Sequence, residues 1–510
     1  MAADTATSAV PTPSDLETPA PERRRRAWRS VSSWIAVPPF VVTLAVMLIG
    51  IGDRQLWRDE NATWWAASLS MGDLRKLVET VDVVLLPYYV LMHGWITLFG
   101  DSEAALRIPS AFCMALAAGI VALIGRRLVD APAGLVAGLL VAPVPVISRY
   151  GQEARPYAMA MLATVTAVWL LLRALEKPSI WRWLGYAAAV AWIGCSHVVA
   201  LMALAAHFVL VLHAFLTTRR RGLLGWPVAV VVAVAAISPI VIRGQSQGGQ
   251  ISWIPDATWQ RVQEFPGDVF MSPAVAGFFL VLGLGTLIAL AFERPGRSTA
   301  GFLAVWTLLP PVIAYFTFHT FHFFYPRYML FTVPAWILLG GVALRRLAGQ
   351  VTMAKLAVLT VVAAGGLTFA GWDQQAAVRT DAVENEMSFR AAAQYIRDRE
   401  RPGDGIVFTG YPYTHRGFRY EWRDQPMAQQ PREILVDRPA GKAYSWVHPA
   451  CADTVACLGS TERIWLVSAD PSGNFFSPLP ASQQKAVEQR YVVVEHTVFH
   501  RLWVSELRRK

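Results

Sequence analysis

Eleven apolar runs of near membrane-crossing length, punctuated by short basic clusters, constrain this chain more than anything else in it. Within a few residues they cover 34–52, 104–124, 132–148, 157–174, 184–197, 198–217, 226–243, 273–292, 299–318, 327–344 and 353–371. A hydrocarbon core about 30 Å thick takes about 20 apolar residues as a helix. Only helices and closed barrels satisfy their backbone polar groups inside it. The expected fold class is an α-helical polytopic membrane protein with about eleven transmembrane helices. Charge content agrees, since only 16% of the 510 residues are charged, against roughly 25% in a soluble domain.

The charge is unevenly placed. Residues 372–510 hold 35 of the 82 charged side chains, nearly balanced at 18 basic and 17 acidic, so about +9 of the formal +10 belongs to residues 1–371. The tail therefore reads as an appended α/β domain. Phe389–Glu400 has helical spacing and is stopped by Pro402-Gly403, while Gly405–Thr409, Ile464–Ser468 and Tyr491–His496 read as strands. Three regions follow: 1–33, a disordered N-terminus; 34–371, a membrane module; and 372–510, the α/β domain.

Nucleic acid is excluded as the reason for the basicity, because the basic residues form no face on a folded domain. They punctuate the apolar runs, as membrane topology requires. Arg23–Arg26, Arg126–Arg127, Arg173 with Lys177 and Arg182, Arg219–Arg221, Arg294 with Arg297, and Arg345–Arg346 all fall on one side, which is read as cytoplasmic. The N-terminus is then cytoplasmic behind an uncleaved signal anchor, and the tail is extracytoplasmic, at the plasma membrane. Residues 86–99 are too short for a span, and treating them as one would put Arg126–Arg127 outside. They are expected to form an interfacial or re-entrant helix within an amphipathic outer loop, 53–103. Cys451 and Cys457 fit either a disulfide or half of a zinc site. An outside domain with no second ligand pair nearby favours the disulfide.

Polar residues that a membrane module should not carry then collect at the outer face: Arg58-Asp59-Glu60, Asp82, Gln152-Glu153 with Arg155, His197, and Tyr325-Pro326-Arg327-Tyr328. Ionisable residues at membrane depth suggest function. Each has a plainer explanation, such as a solvated loop for Asp59-Glu60, a salt bridge for Glu153 and Arg155, or packing for His197, so their convergence carries the argument. Arg327 opens a helix, where the dipole disfavours a cation unless an anion is near. Adjacent carboxylates can accept a hydroxyl proton, and arginines can neutralise a departing phosphate. These parts suit glycosyl transfer from a lipid-phosphate sugar, with inversion at the anomeric carbon.

At these residues the chain resembles a known family. WRDENATWWAAS followed by LPYYVLMHGWITLFGDSEAALRIPSA, with SRYGQEARPYAMAML and YPRYMLFTVPA, is similar to segments of the GT-C glycosyltransferases related to protein O-mannosyltransferases and the lipid A aminoarabinose transferase. The likeness covers about residues 34–345 and looks nearest to actinobacterial sugar transferases. It implies Asp59 as catalytic base with Glu60 beside it, a polyprenyl-phosphate sugar as donor, and Arg155, Arg327 and Tyr328 at the donor phosphate. It implies sugar or acceptor contacts from Asp82, Tyr88, Gln152, Glu153 and His197. Leu85-Leu86 stand where the aminoarabinose type carries a Lys, which argues against aminoarabinose. Arg outnumbers Lys 40 to 6, which suggests a GC-rich genome and makes mannose or arabinose the favoured sugar. The acceptor would be a cell-envelope glycan, lipid or protein, the other partners membrane lipids. No cofactor is firmly expected and no metal ligands are assigned, one Asp-Glu pair being a thin cation site, so the metal requirement stays open. Two functional rivals are a flippase for polyprenyl-linked sugar, disfavoured by the absence of repeated halves, and a lipid-linked glycan ligase. A non-catalytic scaffold would not require the outer arginines.

Overall fold

The computed structural model describes residues 34–293, 296–349, 353–380, 386–409, 414–437, 450–469, 476 and 479–510. The expected disordered stretch 1–33, with Arg23–Arg26, and Arg294 lie outside the described residues. Eight helices among these are long and apolar enough to cross a membrane: Glu103–Leu128, Tyr157–Glu176, Val198–Thr218, Arg221–Gln245, Pro273–Phe292, Arg297–Phe316, Pro326–Leu347 and Met353–Ala370. The other three apolar runs form shorter pieces. The first gives the 12-residue helix Val37–Leu48 and another the 17-residue helix Ile180–Ser196. The run expected at 132–148 breaks into Ala131–Leu139 and Pro145–Gly151. Pro143 and Pro145 cause the break, since each pushes the residue before it out of the helical region.

Close packing needs small residues where the helix backbones meet. A Cβ on Gly125 would lie 2.6 Å from Cα of Gly134, and one on Gly341 would lie 2.7 Å from the backbone nitrogen of Ala137. The helices Glu103–Leu128, Ala131–Leu139 and Val333–Leu347 are thereby locked backbone to backbone. Gly341→Ala is expected to destabilise the module by about 1–3 kcal/mol, read as a lower temperature of aggregation in detergent. An unchanged value would mean that the neighbouring helix can shift without cost.

One end of the bundle gathers the basic clusters. Arg345 Nε donates to Asp130 Oδ2 at 3.0 Å, Arg346 reaches Glu293 at 2.7 Å, and Arg127 pairs with Glu176. The opposite end carries the segment 53–103, which folds into the helices Arg58–Ser68, Met71–Thr80 and Leu86–Phe99. The last of these spans only 14 residues. It leans on its neighbours through Trp95 Nε1, which donates to the Ala105 carbonyl at 2.8 Å, and through His93 Nδ1, 2.8 Å from the Ala67 carbonyl.

The C-terminal region builds a five-stranded mixed sheet in the order β2-β1-β3-β5-β4. The strands are β1 Gly405–Thr409, β2 Arg432–Glu433, β3 Arg463–Ser468, β4 Tyr491–Phe499 and β5 Leu502–Arg509. β1 runs parallel to β2 and β3, and β5 runs antiparallel to both β3 and β4. The sheet buries both faces, with Phe389, Ile396, Phe418 and Trp465 in one core and Leu458, Ile464, Val487 and Tyr491 in the other. Cys451 and Cys457 are joined as a disulfide.

This domain sits directly on the 53–103 segment. The Tyr420 hydroxyl donates to the Asp101 carbonyl at 3.1 Å, and its ring meets Trp64 edge-on at 5.2 Å. Arg390 pairs with Glu103 at 2.9 Å, and Gln55 Nε2 donates to the Met387 carbonyl at 2.7 Å. The helix carrying Asp59 and Glu60 is held between the bundle and the sheet domain.

Candidate active site

Asp59 and Glu60 occupy the first turn of the helix Arg58–Ser68, where the dipole favours anions. Adjacent positions on a helix point about 100° apart, and the two carboxylates go separate ways. Glu60 turns inward and is fully buried. Arg107 grips it with Nε on Oε1 and Nη2 on Oε2, both at 2.8 Å, and the Ala154 N–H donates to Oε1 at 2.8 Å. Arg107 also donates to the carbonyls of Ile51, Arg54 and Gln55. Burial by itself would raise the pKa of Glu60, but Arg107 and Arg54 prevail and bring it down to about 2. A carboxylate so engaged has no oxygen left for a substrate proton. The expected pair therefore divides, and Glu60 is a buried anchor.

Asp59 stays part-exposed. Arg327 Nη1 donates to Oδ2 at 3.1 Å and Arg58 Nε to Oδ1 at 3.2 Å. Burial pushes its pKa up, yet Arg155, Arg327 and Arg58 together outweigh that and hold it below the ordinary carboxylate value. Here is the anion that Arg327, at the start of Pro326–Leu347, requires. Aromatic rings surround the Arg327 guanidinium, with Tyr325 at 4.9 Å, Trp57 at 5.3 Å, Trp253 at 5.9 Å and Tyr157 at 6.0 Å. Tyr328 packs its ring 4.9 Å from that of His197, which lies 5.7 Å from Tyr157. Asp59, Arg155, Arg327, Tyr328 and His197 thus form one cluster.

Asp82 flanks this cluster through the field of Arg155. It holds a left-handed backbone (φ 56°) ahead of a short 3-10 turn, a conformation Asp tolerates better than most residues. The Tyr89 hydroxyl donates to Asp82 Oδ2 at 2.9 Å. Burial raises the Asp82 pKa by more than Arg155 and Tyr89 lower it. Tyr88 is buried, with a hydroxyl that has no partner among the described residues. Gln152 does not join the cluster, since its amide donates to the carbonyls of Met47 and Ile49, both at 2.7 Å, and so closes the end of the first helix. Glu153 points elsewhere as well, with Oε2 3.3 Å from Arg149 Nη2.

A cavity of about 1170 Å³ is lined by Arg58 and Arg327, the two partners of Asp59, which itself stands behind them. Arg58, Arg327 and Trp57 form its wall nearest the carboxylate, with Arg149, Glu153 and Glu386 beyond them. Ala276, Gly277 and Leu280, on the apolar helix Pro273–Phe292, form its bundle-side wall. Sequence reasoning missed Arg107, Arg149 and Glu386. Arg107 carried a usable signal, being a charge one turn into a membrane helix. Glu386 carried none, because its partners Arg54 and Arg149 are far away in sequence. Among the described residues, no three His, Cys, Asp or Glu side chains converge as metal ligands.

The family model of dolichyl-phosphate-mannose-protein mannosyltransferases matches residues 85–242. No curated protein sequence matches the chain. The apo structure of ArnT from Cupriavidus metallidurans superimposes with a TM-score of 0.59 at 17% identity, covering 94% of this chain and 98% of that one. This chain has the GT-C fold of membrane glycosyltransferases. The same ArnT bound to undecaprenyl phosphate matches with a TM-score of 0.54 at 16% identity, over 93% and 98% of the two chains. An Archaeoglobus fulgidus oligosaccharyltransferase in complex with Zn and sulfate matches with a TM-score of 0.52 at 12% identity, over 91% of this chain and 72% of that one. The GT-C likeness embraces the sheet domain together with the bundle, as the coverage of the ArnT chain requires.

Proposed function

We propose that this chain is an inverting glycosyltransferase that moves a sugar, mannose or arabinose, from a polyprenyl-phosphate donor to a cell-envelope acceptor at the extracytoplasmic face. The observation that carries this reading is the position of Asp59. It is a carboxylate kept ionised by surrounding arginines, behind two that line a cavity with an apolar wall on one side and guanidinium groups on the other. The family-model match to mannosyltransferases, and the undecaprenyl phosphate bound by a protein of like fold, support the choice of donor.

The chemistry runs as a single displacement. The acceptor hydroxyl oxygen bonds to the anomeric carbon while the bond from that carbon to the phosphate oxygen breaks. Asp59 takes the hydroxyl proton, and the phosphate leaves with the electron pair. Arg327 and Arg155 neutralise its growing charge, with Tyr328 packed alongside, and attack opposite the leaving group inverts the centre. Glu60 takes no proton and fixes the helix that presents Asp59. Asp82 and His197, both in the field of Arg155, are assigned to sugar or acceptor contacts.

Membranes containing the protein should transfer labelled sugar from a polyprenyl-monophosphate donor to an endogenous acceptor. Consumption of a diphosphate-linked glycan alone would favour a ligase, and lipid crossing the bilayer without sugar release would favour a flippase. The orientation is tested separately by labelling single cysteines placed in residues 372–510 with an impermeant reagent, which should react from outside. Since the arginines depress the Asp59 pKa, the acid limb of kcat/KM should fall below about pH 3.9, the ordinary Asp value. A limb centred at pH 5 or higher would assign the base to another group.

A further inference from the structure

The cavity wall beyond Arg327 carries polar atoms that the rest of the chain leaves unsatisfied. Arg149 stands between two carboxylates, with Nη2 3.3 Å from Glu153 Oε2 and 3.5 Å from Glu386 Oε1. Glu153 is 0% exposed and Glu386 7%. Even so, Arg149 Nη1, both oxygens of Glu153, Glu386 Oε2 and Trp57 Nε1 have no hydrogen-bond partner among the described residues. Unmade hydrogen bonds of buried groups are costly, and all four of these side chains line the same cavity. Glu386 belongs to the sheet domain and is held in place by its neighbours. Gln55 takes an N–H bond from Arg390 at 2.9 Å and gives one to the Met387 carbonyl at 2.7 Å.

The mixture of free donors and acceptors selects the ligand. The phosphodiester of a lipid-linked sugar only accepts hydrogen bonds and would face three acceptor oxygens, so it belongs nearer Arg58 and Arg327. An ammonium only donates and would leave Arg149 Nη1 and Trp57 Nε1 unanswered. A hydroxyl group does both. We infer that Arg149, Glu153, Glu386 and Trp57 form a subsite for a neutral, hydroxyl-bearing sugar ring, and that the sheet domain supplies one side of it through Glu386. The place of this subsite in a reaction rests on the sugar-transfer reading above, but the binding itself does not. The ring comes from either of two sources, the sugar of the donor or a glycan of the acceptor.

The test uses the full-length protein in detergent, with methyl α-mannopyranoside, methyl α-arabinofuranoside and inorganic phosphate as separate probes of thermal stability. At least one glycoside should stabilise the wild type, with an apparent Kd at least tenfold weaker in Glu153→Gln and Glu386→Gln. Stabilisation by phosphate should survive both substitutions and be lost in Arg327→Gln. Should Glu386→Gln fail to fold, Glu153→Gln alone decides the matter. Asp59→Asn should keep glycoside binding while losing turnover, so failed transfer with retained binding would overturn the reaction and not the subsite. In turnover assays, Glu153→Gln should raise the KM of one substrate: the donor if the ring is the transferred sugar, the acceptor if it is an acceptor glycan. Overturning results are no glycoside effect on the wild type, equal binding in the variants, or phosphate binding that depends on Glu386.

Discussion

Asp59→Asn is expected to lower the transfer rate by about 10²–10⁴-fold, the usual worth of a positioned general base. The amide keeps the size of the side chain and can still meet Arg58 and Arg327 through its oxygen, so the protein should fold. The loss should fall on kcat with little change in the KM of the lipid donor, because the base acts on the acceptor proton. Single-turnover assays with saturating donor would separate the two. If the rate falls less than tenfold, Asp59 is not the base. Asp82 would then be the next carboxylate to examine, being half-buried at the other flank of Arg155.

Breaking the pair of Glu60 and Arg107 should have the largest effect on stability. Both side chains are at most 1% exposed, and removing one partner of a buried pair costs about 3–5 kcal/mol, because the other is left as an uncompensated charge. Arg107→Met further strips donors from three carbonyls. Either single variant should aggregate in detergent well below the wild-type temperature, while Glu60→Leu combined with Arg107→Met should recover part of the loss. Equal losses in the singles and a fully additive double would mean that the two side chains are not coupled. Acidity works on the same pair. With its folded pKa held near 2, Glu60 stabilises the fold fully above the unfolded Glu value of about 4.3. That contribution fades as the pH falls from there through 2.

Much of this was legible in the residues, for identifiable reasons. Apolar runs and basic clusters are local signals, so the helices and the segregation of Arg127, Arg345 and Arg346 to one end could be read directly. So could β1, whose Gly-Ile-Val-Phe-Thr is apolar on nearly every position. β5 could not, although it lies between β3 and β4. Its Ser505 and Glu506 are buried, and Glu506 is tolerated only because Arg508 reaches it at 2.8 Å and Arg463 at 3.7 Å. Composition reads such a strand as surface. In the site, adjacency misled. Asp59 and Glu60 read as a catalytic pair, while the rotation between adjacent helical positions sends one to Arg58 and Arg327 and the other to Arg107. The family resemblance implied a ligand contact for Gln152, whereas its amide ties off a helix end.

The ion pairs around Glu60 also impose an order of events on the making of the protein. From Arg107 the contacts pass to Glu60, on to Arg54 at 3.8 Å, from Arg54 to Glu386 at 3.5 Å, and then through Arg149 to Glu153. Three arginines and three glutamates cancel, but only as a complete set, and Arg54 and Glu386 are 332 positions apart. Until residue 386 is made, the set holds three arginines against two glutamates, Glu60 and Glu153, and so one positive charge in excess. Its burial waits for residue 386 to arrive, after the last membrane helix has been laid down. A chain cut short before that point would keep Glu60 as the carboxylate beside Arg54 and lack the one that completes the set.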